Sequence, residues 1–120
     1  MYYIMYNLYR AMENFMILIE VNQNIFNITN ANVIEIKNNK IGIYYDSEKT
    51  LMINDAEELD TSSFSEYFMK FIRDDLTVYL NKYHFLYFEK LNESTIRFHF
   101  FENFSYDIQT DFETLVNQIE

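Results

Sequence analysis

The chain has 120 residues, 49% of them hydrophobic and 19% aromatic, with 9 basic residues against 19 acidic ones for a net charge of -10. That acidity is a poor match for nucleic-acid phosphates, and the lack of cysteine excludes disulfides, thiolate zinc sites and cysteine nucleophiles. One glycine and no proline leave little from which to build a phosphate-cradling loop, and the composition is that of a single domain with a real core.

Residues 3–19 place Met5, Leu8, Met12, Phe15, Met16 and Ile19 at three- and four-residue steps, which predicts a first helix. Arg10 and Glu13 interrupt that run, so it fits neither a signal peptide nor a membrane span, and a cytoplasmic protein is the expectation. Asn-rich residues 22–32 read as a connection with a short strand at 25–28. Residues 33–37 and 40–45 flank Asn38-Asn39 as a two-residue hairpin in which Ile34 meets Ile43 and Ile36 meets Ile41. A third strand is expected over 49–53.

Ser63-x-x-Glu66 has the form of a capping box, and Phe64, Tyr67, Phe68, Phe71, Ile72, Leu76, Tyr79 and Leu80 behind it predict a long central helix to residue 81. Strands at 83–90 and 95–102, joined by a four-residue loop, would put Tyr83, Phe85 and Tyr87 on one face with Ile96, Phe98 and Phe100. Thr110-x-x-Glu113 opens a terminal helix with Phe112, Leu115, Val116 and Ile119 inward. The predicted order α-β-β-β-α-β-β-α is a single α+β domain, a mostly antiparallel sheet with three packed helices.

Two blocks hold the negative charge: residues 46–75 carry nine acids against three bases, and residues 102–120 carry five acids and no base. Asp46, Glu48, Asp55, Glu57, Glu58, Asp60 and Glu66 are the candidate partner-binding residues, densest over 55–60. Carboxylates on alternate strand residues sit roughly 6.5–7 Å apart, the order of phosphate spacing along a nucleic-acid strand. Such a patch also speeds encounter with a basic partner.

No arrangement suggests catalysis, a metal or a cofactor. His84 and His99, on the predicted sheet's second face, lack a third ligand. Asp74 and Asp75 are adjacent in the predicted helix and diverge by about 100°. Tyr2, Tyr3, Tyr6 and Tyr9 read as helix packing or an interface, which leaves room for a homodimer.

In size, acidity, absence of cysteine and clustered carboxylates the chain resembles small acidic phage-encoded inhibitors of nucleic-acid machinery, including anti-CRISPR proteins and nucleic-acid mimics. The preference for Ile, Asn, Tyr, Phe and Lys over Ala and Gly fits an AT-rich genome. The resemblance implies a non-catalytic viral inhibitor that acts by protein–protein interaction. Its target would be a CRISPR-type nuclease or another basic nucleic-acid-handling protein, whose phosphate-binding surface it would occupy. An immunity protein or antitoxin against a cationic nuclease toxin, and a self-associating structural protein, are the alternatives.

Overall fold

A computed structural model of the protein describes residues 16–57, 59–101 and 103–119. Among these the chain forms β1 (Leu18–Val21), β2 (Asn24–Asn27), β3 (Val33–Lys37), β4 (Lys40–Tyr44) and β5 (Thr50–Ile53), then a 3-10 turn at Thr61–Ser63. It continues through β6 (Phe68–Arg73), β7 (Leu76–Asn81), β8 (Tyr87–Asn92), β9 (Thr95–His99) and β10 (Ser105–Gln109) to one helix, α1 (Phe112–Ile119). Strands β5-β4-β3-β7-β6 make a five-stranded sheet, β10-β9-β8 a three-stranded sheet, and β1-β2 a separate hairpin. Every neighbouring pair is antiparallel. No helix among the described residues is long and apolar enough to cross a membrane.

This is a mostly antiparallel β fold, which corrects the α+β expectation of three helices. The predicted central helix is instead the β6–β7 hairpin, closed by Asp74-Asp75 with Arg73 opposite Leu76 and Asp74 at φ 54°. The reason lies in the central sheet's two buried faces. Ile34, Ile41, Ile43, Phe68 and Tyr79 pack on one side with Ile17, Ile19 and Val21 of the first hairpin, and with Ile28 and Phe64. Val33, Met69, Val78 and Leu80 pack on the other with Ile96, Phe98 and Phe100, Ile108, and Leu115 of α1. Strands covered on both sides carry apolar runs without a period of two. A helical stripe can be drawn through such a run. Burying each large side chain contributes roughly 1.5–3 kcal/mol, so occupancy of both faces outweighs local helix preference.

The first predicted helix falls mostly outside the described residues. Its end is strand β1, where Ile19 and Val21 are buried and Leu18 and Glu20 exposed. The β3–β4 hairpin has the register expected from its turn, Lys37 opposite Lys40 and Ile34 opposite Ile43. Strands β8 and β9 do not have theirs. A register shift between Lys90 and Asn92 puts Phe88 opposite Phe98 and Tyr87 opposite His99. One residue of slip exchanges the faces of a strand, so Tyr87 is 55% exposed, while Tyr83 lies before β8 in a turn and is 69% exposed. At α1 the cap is Asp111, whose Oδ1 accepts the Thr114 N–H at 2.7 Å, one residue beyond the expected Thr110. Leu115 is buried there, while Phe112 and Ile119 remain substantially exposed.

Candidate partner-binding surface

Residues 54–57 leave β5 as a strap whose backbone is held by two hairpin turns. The Ala56 N–H donates to the Asn39 carbonyl at 2.7 Å. Asn22, in the β1–β2 turn at φ 52°, uses both ends of its amide: Nδ2 donates to the Asp55 carbonyl at 3.2 Å, and Oδ1 accepts the Glu57 N–H at 3.0 Å. Asp55 takes φ 51°, a left-handed geometry that aspartate tolerates better than most residues. With backbone groups bonded inward, Asp55 and Glu57 are exposed.

Two clefts flank the strap. One of about 670 Å³ has Asp55 and Glu57 along its rim, with Ile36, Ile41 and Tyr79 in its wall and Lys70 beside Tyr79, the ammonium 5.9 Å from the ring centroid. The other, about 460 Å³, brings Glu20, Glu57 and Asp60 together. Glu57 lines both. Lys37 and Lys40 share a smaller hollow with Asp55, yet Asp55 and Glu57 form no ion pair among the described residues.

Of the residues predicted from sequence, the structure thus gathers Asp55, Glu57 and Asp60. Asp60 also caps the 3-10 turn, accepting from the Ser62 hydroxyl at 2.6 Å and its N–H at 3.0 Å, contacts that hold its carboxyl below the usual range. Asp46 and Glu48 lie at the opposite end of β5, in the β4–β5 turn. There Asp46 accepts the backbone N–H groups of Glu48 and Lys49 at 2.8 and 2.7 Å, which lower its pKa and give it a turn-forming role. Glu66 stands apart, in a cleft of about 380 Å³ with Tyr67, Tyr83 and His84. Glu58 and the tyrosines at 2, 3, 6 and 9 lie outside the described residues.

Glu20 and Asn22 were not singled out by sequence reasoning, because their part depends on a hairpin in a segment read as helix end and connection. Asn22-Gln23 between short alternating apolar runs was the available signal.

The histidines occupy separate settings. His99 lies on β9, stacked on Tyr87 with ring centroids 4.3 Å apart and its Nε2 2.7 Å from Glu89 Oε1. His84 lies in the turn after β7, and burial lowers its pKa. Asp74 and Asp75 form an exposed turn. No group of three or more His, Asp or Glu among the described residues is arranged to hold a metal ion. Compared with known proteins, the chain matches no protein family, no curated protein and no solved structure.

Proposed function

We propose that the protein is a non-catalytic binding protein whose partner is a basic nucleic-acid-handling protein, such as a CRISPR-type nuclease, and that it occupies that partner's phosphate-binding surface. The observation that supports this reading is the strap. Its backbone is fixed by Asn22 and Asn39, and Asp55 and Glu57 project from it with no ion pair among the described residues. On the three-stranded sheet, by contrast, acids are paired locally: Asp107 with Arg97 at 2.7 Å and Glu93 with Lys90 at 3.3 Å, while Glu89 lies 2.7 Å from His99 Nε2. Carboxylates that are fixed and outside any ion pair retain a steering field and need no rearrangement to meet a basic surface.

The test compares tagged wild type with a Glu20→Lys, Glu57→Lys variant in lysate of a low-GC bacterium, washed at low and high salt. A nuclease or other nucleic-acid enzyme should be retained by wild type at low salt, released at high salt and missing from the variant, and the purified pair should show inhibition. Circular dichroism confirms that the variant is folded. Equal capture by both proteins, or recovery of the bait alone, overturns the reading.

A further inference from the structure

A strand at the border of a sheet exposes unpaired N–H and C=O groups, and proteins blunt such borders with charges, bulges or covering side chains. Three of the four outer strands in the two larger sheets conform. β6 carries Lys70 and Arg73, and Gln118 of α1 donates from Nε2 to the Lys70 carbonyl at 2.6 Å. β8 carries Glu89 and Lys90 and is interrupted by the irregularity at Leu91. β10 places Asp107 at its middle. β5 is Thr-Leu-Met-Ile, with no charge and no bulge, and among the described residues nothing bonds to its outer edge.

The ladder identifies the open groups. The Tyr45 N–H donates to the Lys49 carbonyl at 2.9 Å, so this pair is a hydrogen-bonded one. Bonded and non-bonded pairs alternate along antiparallel strands. Ile43–Leu51 and Ile41–Ile53 are therefore bonded, and the N–H and C=O of Thr50 and Met52 point away from β4. Leu51 and Met52 are 42% and 57% exposed, one on each face.

We propose that β5 is the edge to which an extended basic segment of the partner adds as another strand of the central sheet. This rests on the basic-partner reading and supplies its mode of docking. Charge complementarity selects the occupant. Asp46 and Glu48 stand before β5, Asp55 and Glu57 after it, and Glu48, Asp55 and Glu57 have no ion pair among the described residues. The four residues of β5 span about 13 Å at ~3.3 Å per residue, with Glu48 and Asp55 in the turns beyond its two ends. A matching segment has an apolar or threonine centre and Lys or Arg at both ends, so that main-chain bonds hold it and its ends set specificity. A second copy of this chain fits worse, because antiparallel β5–β5 pairing would set Asp46 and Glu48 of each copy near Asp55 and Glu57 of the other.

The probe is the capped peptide Lys-Lys-Thr-Val-Thr-Val-Lys-Lys, with a counterpart in which Glu replaces Lys. Affinity is measured at low and high salt, and amide exchange is followed by NMR on the full chain. The basic peptide alone should bind, weaken with salt and slow exchange at Thr50 and Met52 about tenfold when nine-tenths of the protein is occupied. Met52→Pro removes an outward N–H without removing a β4–β5 bond, and it should weaken binding tenfold or more. Thr50→Pro acts by the same route and serves if the first variant folds poorly. Absence of peptide binding, unchanged binding by both folded proline variants, or protection located elsewhere overturns the β5 assignment. So does self-association, seen by sedimentation and abolished by the same variants, because it gives the edge to a second copy. The basic-partner reading fails separately, through the Glu20→Lys, Glu57→Lys comparison.

Discussion

Gly42, the chain's one glycine, stands opposite Glu35 in the β3–β4 ladder. A Cβ there would come within 3.2 Å of Tyr44 Cε2 and Met52 Sδ, and 3.3 Å of the Tyr44 hydroxyl oxygen. The space lets the Tyr44 hydroxyl donate to Glu35 Oε1 at 2.6 Å, while Tyr106 of β10 donates to Oε2 and so ties the smaller sheet to the central one. The hydrogen bond to Glu35, with burial and the negative charge, pushes the Tyr44 phenol up to about 12. Met52 is exposed and can move aside, whereas Tyr44 is held by its hydrogen bond. Gly42→Ala should therefore displace the phenol and cost about 1 kcal/mol in denaturant unfolding. The loss should shrink in a Tyr44→Phe background, and phenolate absorbance should show Tyr44 titrating nearer the ordinary 10.0. The sign also gives a pH window: a raised phenol pKa stabilises the fold below pH 10 and loses that contribution as pH rises through about 12. An equal loss in both backgrounds would separate Gly42 from the phenol.

At the scale of elements, Asp74 separates the hairpin from the helix that the periodicity suggests. Glycine within a helix costs roughly 0.5–1 kcal/mol relative to alanine, but at a turn residue with positive φ it relieves strain. With Asp74 at φ 54°, Asp74→Gly should raise the unfolding free energy by about 0.5 kcal/mol. A decrease in urea midpoint would contradict the turn. The central hairpin was hard to read because Phe68, on one face, and Met69 and Phe71, on the other, all have apolar surroundings. β3–β4 was legible because its Asn-Asn turn and its isoleucines agree on one register. Asp74-Asp75 has the same spacing between β-prone runs and was the available clue. The β8–β9 register depended on Leu91, an irregularity that no local pattern announces. The acidic run was plain in sequence, and the strand expected over 49–53 already parted Asp46 and Glu48 from residues 55–60, whereas the separate cleft of Glu66 followed only from the fold.

Among the described residues, the covering of both faces of the central sheet assigns most aliphatic side chains to two buried clusters and leaves the carboxylates other than Glu35 to turns, edges and the strap. A net charge of -10 on a chain of 120 residues repels itself, and the same field would attract the basic partner proposed above. Salt screens both effects, with a Debye length of about 8 Å at 0.15 M, but with opposite consequences. Added sodium chloride should raise the melting temperature of the free protein and weaken its hold on the partner. Neutralising Glu20 and Glu57, which share one cleft, separates the two roles. Glu20→Gln with Glu57→Gln should raise the melting temperature at low salt by removing repulsion, and should flatten the salt dependence of partner affinity by removing contacts. If the carboxylates only keep the protein soluble, the melting temperature rises as before while affinity and its salt dependence stay at the wild-type values. The charge would then belong to the molecule's solubility, and the strap would no longer support recognition.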